Sequence, residues 1–503
     1  MRLFCALLLA AFLPVSALAQ ENQSIPSDSS TPQLLNAATT TSPAPAAPVV
    51  TDTPPAPAQQ QPQPQTQGDQ PLSFHIGGAD FTPGGFLDFT SIFRTTNVGT
   101  LGTTFFNIPF NNTTQGNLTE SRFTAQNSRI SLKVHDKFGK NDVTAYYELD
   151  FLGNDAANAV VTTNSHTLRQ RLYWADVRRG KWEILGGQSW GLLMPNRVGI
   201  SPMTSDVFYS LDEDFNYQAG LTWTRAPEFR VVYHPSDHWA FAVAADNPDQ
   251  FGGQGEITYP FAFSSQLATQ IDSAAGGTAT PNLHPDFIFK SAYDTDFSGK
   301  HFHAEVAGLL SGFKITDKVG SDFLKHSKEG GGASYAVNYE FLKGIRFVNN
   351  GFYSDGGGRY IFGMGPDLVV LPNTAGTDVN IELVDSVSGV AGFEAQVTPK
   401  NMFYTYYGGA YYQRNYAPDT TAGATPGSYV GFGGPGSATS NNRSIQEPSA
   451  GWIRTFWKSP QHGSLLFISQ AAYVTRSPWS VATGAPKNAH LTMVWLDLRY
   501  IVP

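Results

Sequence analysis

The chain has 503 residues, with 49 Gly, 33 Pro, 13 % aromatic and only 15 % charged residues, and a formal net charge of -9. The acidic balance argues against a nucleic-acid binder, which carries a basic excess, and the scarcity of long apolar runs argues against a helical membrane protein. The single cysteine, Cys5, falls in the export segment described next, so a mature chain has no thiol catalysis, no disulfide and no Cys-ligated metal.

Residues 1–19 read as a signal peptide. Arg2 supplies a positive start, Leu3 to Leu13 form an apolar run, and Ala17-Leu18-Ala19 is a small-x-small cleavage site before Gln20. The run is too short to span a bilayer. Residues 20–71 are rich in Pro and Gln, including Gln59-Gln60-Gln61, a composition that favours extended, solvated chain. This segment is expected to be a disordered periplasmic linker, either a plain spacer or a tether to cell-wall material. At ~3.1 Å per residue its extended length exceeds ~100 Å.

Residues 72–503 are expected to form an all-β domain, a 16-stranded antiparallel transmembrane β-barrel behind that disordered N-terminal extension. In Val143 to Phe151, the residues Val143, Ala145, Tyr147, Leu149 and Phe151 share one face and Thr144, Tyr146, Glu148 and Asp150 the other. Successive side chains of a strand point to opposite faces, so one face is apolar and one polar. The same pattern recurs at 301–306 and at Val494 to Tyr500. The strand cores read as 84–94, 127–135, 142–151, 168–177, 181–188, 228–234, 238–246, 286–293, 300–310, 332–341, 345–353, 387–397, 402–414, 449–458, 464–476 and 490–500. The sixth, 228–234, is the least sharply marked, because 219–225 could be a strand of its own. Short links such as 136–141 alternate with long ones such as 189–227, 311–331 and 354–386. Short periplasmic turns and long external loops are the habit of an outer-membrane barrel, whose sheet must close because lipid cannot satisfy an open edge. A soluble sandwich or propeller is the competing all-β reading.

Sixteen strands leave an aqueous channel rather than a filled core, so a loop must narrow it. The links 189–227 and 354–386 are the candidates, the first carrying Trp190, Met194, Pro195, Arg197, Asp206, Asp212, Glu213 and Asp214. The expected pore-lining cations are Arg94, Arg129, Lys133, Arg169, Arg171, Arg197 and Arg230, placed on polar strand faces or in the first of those loops. Arg169 and Arg171 are read as opposing Leu168, Leu172 and Trp174, and Arg454 as opposing Ile453. Guanidinium forks match carboxylate or phosphate, and positive rings favour anions in pores. Equally, these arginines pair with Glu148, Asp150 and Asp176 and hold the wall.

Several of these segments resemble DcaP-like porins. The stretch Glu120 to Ile130 is similar to their second strand, Tyr147-Glu148-Leu149-Asp150-Phe151 to their third and Leu168-Arg169-Gln170-Arg171 to their fourth. Leu185-Gly186-Gly187-Gln188-Ser189-Trp190 resembles the end of the fifth, and Ala244-Ala245-Asp246-Asn247-Pro248 the end of the seventh. The likeness runs from about 84 to 250 and returns at the last strand. It implies a trimeric sixteen-stranded porin for small carboxylates, in which Arg129, Arg169 and Arg171 contact the solute. The extension here lacks the heptads of a coiled coil, and the chain ends Tyr500-Ile501-Val502-Pro503 rather than on an aromatic residue.

No phosphate-binding loop and no His-Glu-x-x-His occurs. His301, His303 and Glu305 share a strand face and read as polar lumen residues, so neither metal nor cofactor is expected and no enzyme is read. The expected function is passive diffusion of small anionic solutes across the outer membrane of a Gram-negative bacterium. The expected partners are outer-membrane lipid and lipopolysaccharide, and further copies of the chain in a homotrimer. A carbohydrate or general diffusion porin is the alternative, and a secreted glycan-binding β-protein the more distant one.

Overall fold

The computed structural model describes residues 72–99, 105, 108–153, 166–208, 210–213, 216–254, 256–273, 280–362 and 365–503. The expected signal peptide, the whole of the expected linker, and Asp214 lie outside them. The main sheet opens with β1 (Phe74–Ile76), β2 (Ala79–Arg94), β3 (Glu120–Thr124), β4 (Arg129–Phe138), β5 (Asn141–Asp150), β6 (Arg169–Arg179) and β7 (Trp182–Trp190). It continues through β8 (Arg225–Tyr233), β9 (Trp239–Asp246), β10 (Asp286–Phe297), β11 (Lys300–Val319), β12 (Asp322–Leu342) and β13 (Ile345–Asp355). A separate hairpin, β14 (Leu368–Pro372) and β15 (Val379–Leu383), precedes β16 (Asp385–Thr398) and β17 (Asn401–Tyr412). A second, β18 (Asn415–Pro418) and β19 (Tyr429–Phe432), precedes β20 (Asn442–Ser459), β21 (Gly463–Pro478) and β22 (Ala489–Ile501).

The sheet holds 18 strands, but β3 and β4 flank one break in a single wall strand and β1 only folds back on β2. Sixteen wall strands remain, each antiparallel to its neighbours. Pairing of Phe86 to Arg94 with Ile501 to Met493 joins the first wall strand to the last and closes the barrel. No edge is left unpaired, as lipid demands. Along β22, Val494, Leu496 and Leu498 are exposed while Trp495, Asp497 and Arg499 are buried, which is the alternation read from the sequence. Leu87, Phe123, Ile130, Phe229 and Phe289 are exposed in the same way on other strands. A closed barrel with this apolar exterior is an outer-membrane protein. Among the described residues no helix is long and apolar enough to cross a membrane.

The structure corrects several details. Residues 311–331 are not a loop: β11 and β12 pair without interruption from Phe302 with Tyr339 to Val319 with Asp322. The partners of β11 and β12 on their other sides reach only Leu310 and Gly331, so the tip of this hairpin stands clear of the barrel wall. The sixth wall strand starts at Arg225, and 219–224 is not a strand. Leu172 and Trp174 do not oppose Arg171. The register shifts between Glu148 and Leu149, leaving Arg171 as the extra residue of a β-bulge, so Arg171, Leu172 and Trp174 are all buried on the lumen side. Ile453, rather than Arg454, is buried, and Arg454 donates to Asn401. Adjacent tyrosines split between the two faces: Tyr147 and Tyr407 are exposed, whereas Tyr146 turns inward to Glu148 and Tyr406 is buried.

Candidate functional site

The lumen is crossed by the loop between β7 and β8. Leu192, Leu193 and Met194 are buried, and the loop backbone touches the wall where glycines permit it. A Cβ on Gly220, which has φ +87°, would sit 2.3 Å from the Gly409 carbonyl oxygen and 2.7 Å from that of Gly389. A Cβ on Gly408 would sit 2.2 Å from the Ala219 carbonyl oxygen. No side chain fits between two backbones that close.

Ion pairs then fasten the loop around the wall. Arg197 donates to both oxygens of Glu394 on β16 at 2.9 and 2.8 Å, and Tyr406 on β17 donates to Glu394 at 2.7 Å while accepting from the Leu211 N–H at 3.1 Å. Glu447 on β20 accepts from Asn216 at 2.9 Å and from the Ala219 N–H at 2.7 Å. Arg499 on β22 holds Asp88 at 2.6 Å and Glu213 at 2.9 Å. On the other side Lys290 of β10 donates to the Met194 carbonyl at 2.8 Å and to Asn196 at 2.7 Å. The first of the two candidate loops therefore folds inward. The second also reaches it, since the Trp223 N–H donates to the Tyr360 carbonyl at 2.8 Å.

The seven expected cations divide by their partners. Arg94 is fully buried on Glu120 at 2.9 Å. Arg171 holds Glu148 at 2.6 Å and Asp150 at 2.8 Å, and Arg169 holds Asp150 at 2.8 Å. Arg129 lies 4.0 Å from Glu148 with its guanidinium over Phe86. Arg230 pairs with Glu228 at 2.6 Å, and Arg197 with Glu394 as described. Lys133 faces a cavity of about 410 Å³ toward the short-turn end, which also carries Arg178, Asp142, Asp176, Glu183 and Asp206. Arg129, Arg169 and Arg171 are brought together on Glu148 and Asp150, while Arg230 stands elsewhere on the wall and Arg197 on the inward loop. His303, read as a polar lumen residue, is hydrogen-bonded to Asp294 at 2.9 Å and Glu305 at 3.1 Å.

One arginine beside this cluster escaped the sequence reading. Arg225, the first residue of β8, lies with its guanidinium carbon 5.5 Å from the ring centre of Trp190 and 5.2 Å from that of Trp223. Arg171 and Arg169 are near enough for their charges to act on it. Its Nε and Nη1 are enclosed, yet neither has a hydrogen-bond partner among the described residues, and neither does the Trp223 indole N–H. Two kinds of donor on neighbouring residues thus lack an acceptor among the described residues. The available signal was the Trp223-Thr224-Arg225 triplet at a loop–strand junction, with Trp190 at the opposite end of the same loop.

Neither a protein-family profile nor a curated protein sequence matches the chain. Among solved structures, the outer membrane channel DcaP of Acinetobacter baumannii aligns over 84 % of this chain and 97 % of its own, with TM-score 0.57 at 16 % identity. The chain has a porin fold. Two other barrels align less well, each over 84 % of this porin-like chain: an anion-selective porin from Comamonas acidovorans (99 % of its own length, 8 % identity, TM-score 0.44) and OprB of Pseudomonas putida (94 %, 12 %, 0.44).

Proposed function

We propose that this chain is a passive outer-membrane porin for small hydrophilic solutes, biased toward anions such as small carboxylates and dicarboxylates. The observation that carries the anion bias is Arg225, with its unmatched donors beside Trp223. A buried donor left without an acceptor costs about 1–3 kcal/mol. A passing carboxylate, or the water it displaces, supplies the acceptor, and the guanidinium fork suits a carboxylate. In this reading Arg94, Arg129, Arg169, Arg171, Arg197 and Arg230 shape the lumen wall through their ion pairs, Lys133 guards the cavity toward the periplasm, and Arg225 meets the solute. The apolar exterior supports contact with outer-membrane lipid and lipopolysaccharide. The homotrimer that the sequence resemblance implies completes the proposal.

A carbohydrate porin is the second reading, favoured by the aromatic cluster of Trp190, Tyr217, Trp223 and Phe362, whose rings meet mostly edge to face. Planar-bilayer recordings of the purified protein under a salt gradient separate the two. The proposal expects an anion-preferring reversal potential that moves toward neutrality in Arg225→Ala. A cation preference, or a reversal potential unchanged by Arg225→Ala, would overturn the anion reading and favour sugar.

A further inference from the structure

The hairpin tip that stands clear of the barrel carries a cluster that the porin function does not use. His326 on β12 points its Nε2 at two carboxylates, with Asp317 Oδ1 of β11 at 2.9 Å and Asp378 Oδ1, just before β15, at 3.1 Å. One ligand atom from each of the three residues lies within 4.8 Å of the other two. The Asp378 oxygen also accepts the Val379 N–H at 2.8 Å, which fixes its aim. Asp317 is fully buried, and its Oδ2 has no hydrogen-bond partner among the described residues. Among the described residues no lysine or arginine pairs with Asp317 or Asp378.

A single imidazole nitrogen carries at most one proton, so it cannot serve two carboxylates well. Two carboxylates and one imidazole nitrogen are, however, an ordinary donor set for a divalent transition metal. Ligand atoms about 2.0–2.1 Å from a tetrahedral zinc lie roughly 3.3–3.4 Å from one another, close to the spacings here. The other buried acidic triad provides the contrast. Asp88, Glu213 and Asp497 also converge, but Arg499 already sits among them at 2.6, 2.9 and 3.1 Å. The inner triad has its cation built in, and the outer triad has none.

We propose that Asp317, His326 and Asp378 bind a divalent transition-metal cation, with zinc as the probe, on the extracellular side of the barrel. The ion ties β11, β12 and the β14–β15 hairpin together, and water completes its coordination.

The test uses the full-length, tag-free protein in detergent, stripped with chelator and titrated with zinc chloride by calorimetry. One zinc per chain is expected, with affinity at least about tenfold weaker in His326→Gln and in Asp378→Asn. Zinc is also expected to slow tryptic cleavage at Lys318, Lys325 and Lys328 in the wild type but not in Asp378→Asn. A heat-modifiable gel shift confirms that each variant is folded, and Asp378→Asn, which lies outside the barrel wall, keeps the test decisive where His326→Gln fails to fold. No zinc binding by the wild type, binding undiminished in both variants, or calcium binding without zinc binding would each overturn the proposal.

Discussion

Arg171 and Arg225 are neighbours in the same lumen, under the same loop, with the same chemistry. Arg171 sits in a bulge and gives Nε to Glu148 and Nη1 to Asp150, with only Nη2 left without an acceptor among the described residues. Arg225 is flanked by two tryptophans and finds no acceptor for Nε or Nη1 among the described residues. Counting cations on polar strand faces therefore overstates what a pore offers a solute. A guanidinium matched by carboxylates is part of the scaffold, and an unmatched one is available.

Breaking the matched side has the largest expected effect. Arg171→Ala takes from Glu148 its hydrogen-bonded guanidinium and leaves Asp150 with Arg169 alone, and removing one member of a buried pair typically costs about 3–5 kcal/mol. The temperature at which the folded band converts to the unfolded one on gels should fall markedly, whereas Arg225→Ala should lower it far less, because no carboxylate loses its partner. Equal falls would mean that Arg171 and Arg225 do not differ in their structural role. Next comes the seat of the loop. Gly408→Ala places a Cβ 2.2 Å from the Ala219 carbonyl oxygen, an overpacking expected to cost about 1–3 kcal/mol. Displacement of the loop should appear as altered conductance with noisier open-channel current. Glu394→Gln weakens the Arg197 anchor without adding bulk and should give noisier current at near-normal mean conductance.

The smallest effect is outside the membrane. His284 is raised above its ordinary value first by the Pro285 carbonyl and then by Glu329. Its contact with the β12 segment is fully formed below the ordinary histidine pKa and is lost as pH rises through the raised one. Hydrogen exchange around 284 and 329 should quicken across that range in the wild type and stay flat in His284→Gln. Exposed pairs of this kind contribute little, so barrel melting should not follow.

Much of this architecture is written in local pattern. Val143 to Asp150 and Val494 to Tyr500 alternate cleanly because lipid accepts only apolar groups on one side and the lumen wall carries polar ones on the other. What could not be read came from long-range pairing. The bulge at Arg171 is set by register against β5, and it turns Leu172 inward despite its apolar character. The β11–β12 tip looked like a loop because its mix of Lys, Asp and Gly matched surface composition, although Lys314 to Val319 does alternate. The inward loop was legible as a long link with charged residues, Arg197 among them. Its partner Glu394 lies 197 positions away, and no spacing reveals that. Arg225 was passed over because it begins its strand rather than sitting within an alternating run.

The inward loop also has a mechanical meaning. A wall of sixteen strands is one layer thick around a wide opening, and such a cylinder is easily squeezed to an oval. Anchors on β10, β16, β20 and β22 make the loop a set of spokes across that opening. Lateral pressure from the bilayer is then carried across the pore as well as around its rim, so the cross-section stays round and the passage keeps a constant bore.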